Sequence, residues 1–560
     1  MRFTKERQSA KASISAMELT AAMSVAWALV VAFIVFVLVS SIAWPLSQRK
    51  ALKLPPGPRG WPVFGSLGLL AGKLPPHRTL AALAARHGPL MHLRLGSFHV
   101  VVASSAETAR LVLKTHDAAL ADRPPTAAGE IMAYGRKGIL LTPYGAYWRM
   151  ARKLCATELF SPRRLDLFER ARAEETRALV RALFERCAAG RAGAGGVEVR
   201  EHLESFGMRN ILRMAVGERW SGLYGSEDGA AFRASLREVF AVSGAVNNVG
   251  EWVPWLGRLD VQGFARRMRR VRVLFDRFYE QILDEHEEER RRWCAGSGAA
   301  AGEVFAGRDL VDVLLQIAEE DKGAAGESES RLTRDGIKGF IQDIIAGGTE
   351  TTAATMEWAL AELLRHPNTM AAAVEELDRV VGRHNRWATE RDLPELPYID
   401  AVVKETLRLH PPGPLLVPHH AREDAVVAGF DVPAGTRVLV NVWAVGRDPA
   451  SWPDAPDAFR PERFLPGGAA HGVDMRGAHF ELLPFGSGRR ICPGYNLAVK
   501  EVAGTLANLL LGFAWRLPDG VAPEDVNMDE FLGLTMRREV PLVAVAEPRL
   551  PAHLYTVAAG

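Results

Sequence analysis

Apolar residues recur every three to four positions through 163–187, 271–293, 310–320, 335–364 and 369–381, and over shorter spans at 106–114 and 401–409. That period predicts helices that bury one face or more. Two short runs, 90–95 and 99–103, flank Gly96-Ser97 and predict a small β region. The Ala/Gly-rich stretches 188–196 and 295–302, together with 323–331, are expected as surface loops. No internal repeat interrupts this order, so the expectation is a mainly α-helical body.

The N-terminal pattern is different. Residues 19–44 carry no charge, and 25–39 are almost wholly apolar. A helix of that length spans roughly 39 Å, enough to cross a ~30 Å hydrocarbon core with some tilt. Trp27 and Trp44 suit the two interfaces. Ser41-Ile42-Ala43 resembles a signal-peptide cleavage site, but the apolar run exceeds the usual ~7–15 residues, so an anchor is the stronger reading. Arg49, Lys50, Lys53 and Arg59 follow the span and argue that the large domain stays in the cytosol. Arg2, Lys5, Arg7 and Lys11 precede it; a start at Met17 would leave only Glu18 before the span. The division expected is an extension over 1–18, a transmembrane anchor over 19–44, a basic and Pro-rich hinge over 45–62, and one domain over 63–560. Prolines as dense as those of 55–62 stiffen the backbone.

Composition adds little. The chain has 560 residues, 48% hydrophobic and 24% charged, an ordinary globular mixture. A net charge of +3 gives no argument for nucleic acid. The four cysteines, 155, 187, 294 and 492, fall in no zinc or CxxC spacing. No GxGxxG follows a strand, so the electrons for any redox chemistry are expected from another protein.

The chemistry concentrates in four places. In PFGSGRRICPG (484–494), Cys492 lies two residues after Arg490. A cation or a helix N-terminus lowers a thiol's pKa towards the metal-binding thiolate. Gly488 and Gly494 allow the backbone to pass close to a flat macrocycle, and Pro493 suits the first turn of a following helix. The arrangement fits a thiolate on haem iron, a ligand whose electron donation favours O–O cleavage. In AGGTETT (346–352), two glycines and three threonines are locally unfavourable in a helix interior. This predicts a backbone opening, by bulge or water, beside Glu350 and Thr351. An acid next to an alcohol suits the relay of protons that oxygen reduction needs; the bland alternative is a glycine-tolerant helix crossing. Glu405 and Arg408 share a helix face at i and i+3, and Arg463 of FRPERF (459–464) completes a buried network if it joins them. Trp148 and Arg152, four apart, and His419 suit hydrogen bonds to haem propionates.

Taken in order, these elements resemble the cytochrome P450 family across essentially the whole chain. AGGTETT, FRPERF and PFGSGRRICPG are typical of plant A-type members. LKTHDAALADRP (113–124), PYGAYWRMARKLC (143–155), HFELLPFGSGRRICPGY (479–495) and VAEPRLP (545–551) look like the plant family numbered ninety-two. The resemblance implies a helical triangular prism with small β-sheets and haem b, with Cys492 as axial iron ligand. It implies propionate contacts from Trp148, Arg152, Arg490 and His419, with Phe485, Gly488 and Gly494 beside the macrocycle. Thr351 and Glu350 would activate oxygen, and Glu405, Arg408 and Arg463 would form a structural triad. The implied activity is a monooxygenase in the endoplasmic reticulum membrane, crossing it once. Its electrons come from NADPH through NADPH-cytochrome P450 reductase, with cytochrome b5 as a further partner, and O2 and a small apolar substrate enter from the membrane side. Pocket-lining segments are expected at 127–141, 240–255, 340–351, 414–417 and 531–535. Relatives oxidise terpenoid alcohols, with cleavage to homoterpenes among the outcomes, or flavonoids or brassinosteroids. Fatty acids are a further substrate class, and a peroxide-rearranging haem enzyme or a haem sensor are alternatives of another class; the acid–alcohol pair argues against both.

Overall fold

The computed structural model describes residues 27–33, 36, 52–188, 196–221, 227–243, 248–295, 309–323, 331–382 and 386–556. The extension over 1–18 lies outside these residues, as does most of 19–44. No described helix is long and apolar enough to cross a membrane. Most of the three predicted loops also falls outside.

Nine helices of the described part matter for the site: α1 (Ala146–Leu154), α2 (Glu169–Ala188), α3 (Val199–Val216), α4 (Phe264–Ala295), α5 (Leu310–Gly323), α6 (Arg334–Arg365), α7 (Pro367–Val380), α8 (Pro397–Leu409) and α9 (Tyr495–Gly512). Where the apolar period alone starts α7 and α8 two to four residues late, Pro367 and Pro397 open them. A proline preset to helical φ costs nothing in a first turn, where its missing N–H has no partner anyway. Other predicted helices are broken. The 163–187 pattern divides at Phe168 into Pro162–Leu167 and α2. The 106–114 pattern passes from an α-turn (Ala106–Arg110) into a π-turn (Leu111–Thr115).

Helix α6 runs through the centre of the body and is buried along most of its length. Thr333 caps it, its side chain accepting from Gly336 N (3.1 Å). The opening expected at 346–352 is absent: α6 is continuous there. The glycines serve a close helix crossing instead. A Cβ on Gly348 would lie 2.8 Å from Ile211 of α3, and one on Gly207 of α3 would lie 2.9 Å from the Thr349 carbonyl oxygen. The threonine hydroxyls stay satisfied within the helix. Thr349 Oγ1 donates to Ile345 O (2.6 Å), Thr351 Oγ1 to Gly347 O (2.6 Å) and Thr355 Oγ1 to Thr351 O (2.8 Å).

The main sheet has the order β1-β2-β4-β3, with β1 Leu90–Leu95, β2 Phe98–Ala103, β3 His419–His420 and β4 Arg437–Val440. β1 and β2 form an antiparallel hairpin from Leu90↔Ala103 to Leu95↔Phe98. β4 pairs parallel to β2 (Val100↔Arg437 to Ala103↔Val440) and antiparallel to β3 (His419↔Val438). Three smaller sheets complete the β structure. The Pro-rich segment, expected as a hinge, is bonded to the body from Lys53 onward. Lys53 N donates to Asp431 Oδ2 (2.7 Å), and His92 N of β1 to Pro56 O (2.9 Å). Stiff extended backbone presents carbonyls that a neighbouring strand end accepts without further ordering cost.

Glu405, Arg408 and Arg463 do meet. Arg408 Nε and Nη2 donate to Glu405 Oε2 and Oε1 (2.7 and 2.8 Å), and Arg463 Nε donates to Oε1 (3.0 Å). Arg460 N reaches the same oxygen (2.8 Å). The remaining guanidinium N–H groups go to the carbonyls of Gly446, Pro456 and Ala458 from Arg408, and of Asp454, Ala455 and Ala458 from Arg463. The network is dry and nearly saturated, and it ties α8 to the segment that leads into the Cys492 loop. Removing one member of such a pair leaves an uncompensated buried charge, at a cost of about 3–5 kcal/mol. Glu405→Ala leaves both guanidiniums without their carboxylate and is therefore expected to lower the unfolding free energy by about that amount, read from urea denaturation; a change below about 1 kcal/mol would mean that the network behaves as a surface pair.

Candidate active site around Cys492

The Cys492 loop is closed by its own backbone. Cys492 N donates to Phe485 O (2.9 Å) and Gly486 N to Leu483 O (3.0 Å), with Gly486 at φ +70°. A 3-10 turn over Gly488–Arg490 follows, and α9 begins at Tyr495 with Gly494 as N-cap. Pro493 thus precedes the helix rather than occupying its first turn. Gly488, expected beside a macrocycle, faces the other way. At φ +67° it packs so closely on Leu113 O and Asp117 that a Cβ would collide with that carbonyl. Its small size serves the seating of the loop on the π-turn, while Phe485, Gly486 and Gly494 line the cavity.

Cys492 opens onto a cavity of about 310 Å³ between α6 and α9. Burial pushes its thiol pKa up, against the Gly494 N–H and the Arg152 charge, which act in the opposite direction. Trp148 and Arg152 of α1, His419 of β3, Arg490, and Thr351 of α6 line the same space. The structure therefore brings together residues as far apart in the chain as 148 and 492. Arg490 lies 4.4 Å from the Trp148 ring centroid; its Nε donates to Ala121 O (2.7 Å) and its Nη2 to Thr142 O (2.8 Å). Its Nη1 is buried without a partner. Arg152 makes no ion pair with a carboxylate among the described residues. Burial lowers the pKa of both guanidiniums, to about 10 for Arg490.

A third cation escaped the sequence reading. Arg123 is buried, donates to Leu140 O, Val417 O and Pro418 O (3.0, 2.6 and 2.9 Å), and lines the cavity. Three guanidiniums around one cavity-facing thiol, one of them with an unused N–H, fit a dianionic flat group with a thiolate-binding metal. That is the donor set haem requires. His419 Nδ1 donates to Leu120 O (3.0 Å), and burial drives its pKa well below the ordinary value, so it is neutral at pH 7. A neutral ring with one nitrogen committed to the backbone offers one further hydrogen bond rather than a charge.

On α6 the acid and the alcohol separate. Thr351 faces the cavity; Glu350, about 100° further round the helix, lines a small cleft with Glu204, Arg233, Arg237 and Phe240. Glu350 Oε1 lies 3.5 Å from Arg537 Nε, and Oε2 is buried without a partner. Burial raises its pKa to about 7, against the nearby Arg537 charge. Two more carboxyls line the cavity that no sequence pattern singled out. Asp343 lies two turns before Thr351, with its pKa raised to about 6 by burial. Glu501 of α9 is pushed to about 8 by burial and accepts from Asn210 Nδ2. Helical spacing from Thr351 would have found Asp343; only the α3–α9 contact shows Glu501. Of the expected lining segments, 127–141, 340–351 and 414–417 contribute. The described residues of 240–255 and 531–535 do not, because Leu534 N is bonded to Phe240 O (3.0 Å) on the far side of α6.

Comparison with known proteins agrees with this architecture. Residues 55–543 match the family model described as Cytochrome P450. The chain is 69% identical over 535 residues to the Trimethyltridecatetraene synthase of Zea mays, covering 95% of each. It is 70% identical over 541 residues to the Dimethylnonatriene synthase of Zea mays, covering 96% of this chain and 99% of that one. Flavonoid 3'-monooxygenase of Arabidopsis thaliana is 40% identical over 532 residues, covering 95% and 99%. A zebrafish cytochrome P450 solved with progesterone superposes with a TM-score of 0.68 at 26% identity, covering 85% of this chain and 100% of that one. With its cavity-facing thiol, its cationic cradle and a family match over most of its length, this chain belongs to the cytochrome P450 monooxygenases.

Proposed function

We propose that this monooxygenase oxidises a terpenoid alcohol, with cleavage to a homoterpene as the outcome, and that the cavity between α6 and α9 is where it does so. One observation carries the assignment of the site: the accessible Cys492 thiol, the unused Nη1 of Arg490 and the Thr351 hydroxyl all line one enclosed space. The terpenoid reading rests on the 69% and 70% identities to two synthases named for hydrocarbon products. Flavonoid hydroxylation is the second reading, supported by the 40% identity to a flavonoid 3'-monooxygenase.

In this reading Cys492 would bind the iron of haem b, and Arg490, Arg152 and Trp148 would hold its propionates, with His419 and Arg123 at the rim. Haem bound there would supply the activation of dioxygen, with electrons that originate in NADPH. Thr351 holds a proton donor at the cavity wall; its hydroxyl must rotate away from Gly347 O to give that proton up. Glu350 is the reservoir behind it, reached around α6 through water. Cavity walls of Ile139, Leu140, Ile211, Ile344, Leu416 and Val417 exclude water and seat an apolar substrate. The finer placement in the plant family numbered ninety-two belongs to the same proposal. So do the domain division and a single anchor over 19–44 in the endoplasmic reticulum membrane, the catalytic domain facing the cytosol. NADPH-cytochrome P450 reductase, cytochrome b5 and lipid are its proposed partners.

Membranes carrying the protein, a plant reductase and NADPH are expected to convert an acyclic terpene alcohol to a shortened hydrocarbon, read by product mass. A flavonoid gaining one oxygen, with the terpene alcohol unchanged, would replace the first reading with the second. Cys492→Ala is expected to abolish the thiolate-type carbon monoxide spectrum, and its retention would refute the ligand assignment. Glu350 makes a prediction on pH. Its carboxyl holds a proton up to about pH 7 when folded, against an ordinary value of 4.5. Between those values the folded state binds more protons than the unfolded chain, so this group's contribution to stability falls as pH rises through the window. Glu350→Gln removes that loss, and the variant is expected to gain stability relative to the parent between about pH 5 and 8. Parallel urea midpoints across that range would show that Glu350 titrates normally.

A further inference from the structure

One carboxylate oxygen in the cavity has no partner. Asp343 stands on α6 one turn before Gly347 and two turns before Thr351, the three residues forming a single stripe along the cavity wall. Its Oδ2 is fully engaged, accepting from Ile139 N (2.6 Å) and Leu140 N (2.8 Å). Gly138 packs against that oxygen so closely that a Cβ there would overlap it. These contacts fix the side chain in one orientation. No donor among the described residues reaches Oδ1, and the side chain, though deep in the protein, keeps accessible surface where it lines the cavity.

The surroundings make this oxygen distinctive. The nearby wall is apolar: Ile139, Leu140, Ile211 and Ile344. Other polar groups on the lining either are committed or are donors, as the unused Nη1 of Arg490 is. Thr351, Thr355 and Ser487 each donate a hydroxyl proton to a carbonyl, and Glu501 accepts from Asn210. Arg123 donates to backbone carbonyls, and Asp343 has no cation in ion-pair range among the described residues. An immobilised acceptor in an apolar enclosure selects a ligand that brings a hydrogen-bond donor on an otherwise apolar body. A pocket built around such an acceptor penalises an analogue without the donor, because the buried oxygen is then left unpaired.

We propose that Asp343 Oδ1 is the substrate anchor, accepting the hydroxyl proton of the apolar alcohol and thereby setting which carbon is presented towards Thr351. The anchor rests on the reading of the cavity given above, and it adds the group that recognises the alcohol. Along α6 the anchor and Thr351 are about 12 Å apart. Asp343 thus selects and positions the substrate, and takes no part in the chemistry beside Thr351. The same donor chemistry exists in a flavonoid phenol, so the test separates the two sources.

Binding is measured on the haem-loaded protein by the spectral shift that substrate produces, for an acyclic terpene alcohol, its methyl ether and the hydrocarbon lacking oxygen. The parent protein is expected to prefer the alcohol over both analogues by about tenfold or more, the worth of a hydrogen bond to a charged acceptor. The ether keeps the oxygen and loses only the donor, so equal binding of alcohol and ether overturns the proposal without any variant. Asp343→Asn retains an oxygen for the Ile139 and Leu140 N–H groups and turns an amide N–H2 towards the cavity. The preference for the alcohol over its ether is expected to fall to within about threefold, with hydrocarbon affinity and the carbon monoxide spectrum unchanged. Retention of the preference in this variant refutes the anchor. If the parent binds a flavanone and no terpene ligand, the terpenoid reading fails. In that case Asp343→Asn must still abolish the preference for the flavanone over its methyl ether, and a preference that survives refutes the anchor too.

Discussion

The buried carboxylate of Glu405 is the point from which the site is held. It receives two guanidiniums and a backbone N–H, and those guanidiniums extend to the carbonyls of residues 446, 454, 455, 456 and 458. Coil running from 446 to 464 has little regular structure of its own with which to satisfy its carbonyls. Two fixed arginines do so, and in doing so determine where the chain enters the Cys492 loop. The value of the network lies in position rather than net stability, since desolvating three charges offsets most of their attraction. Glu405 can be dry only because both arginines arrive together.

Helix α6 shows how one element serves unrelated tasks on different faces. Asp343, Gly347 and Thr351 face the cavity, while Gly348 and Thr349 meet α3 at a distance that permits no side chain at Gly207. Glu350 turns towards Arg537 and a separate cleft. Adjacent residues on a helix point about 100° apart, so an acid and an alcohol that are neighbours in sequence open onto different spaces. That separation leaves a buried acid with a raised pKa in a cleft of its own, on a different face of α6 from the cavity.

The cradle of cations is built the opposite way. Arg123, Arg152 and Arg490 come from three distant segments and converge although like charges repel. Arg123 and Arg490 are compensated by backbone carbonyls, and Arg490 also by the Trp148 face, while Arg152 has no ion pair with a carboxylate among the described residues. Burial lowers the pKa of all three, a cost that a bound dianion would relieve. The site is therefore electrostatically incomplete without an anionic partner, which is the physical sense in which the protein is organised around its cofactor.

Much of this was legible in the chain. The helical period located α4 to α8, the 90–103 alternation gave the hairpin, and local strings identified Cys492, the Glu405–Arg408 pair and the Thr351 helix, because each depends on residues within a turn or two of one another. Sequence spacing alone determined that Trp148 and Arg152 share a face. It did not determine which neighbour a small residue makes room for. Gly488 accommodates Leu113 rather than a macrocycle, and Gly348 accommodates Ile211 rather than a bulge, since the approach of a second segment cannot be read from the first. Arg123 and Glu501 stayed invisible for the same reason. A charged residue is remarkable only once burial is known, and burial belongs to the packed chain. The sequence by itself determined the chemistry available and its local geometry. Tertiary structure decided which groups share a cavity, which are left unpaired, and so which carboxylates face that cavity.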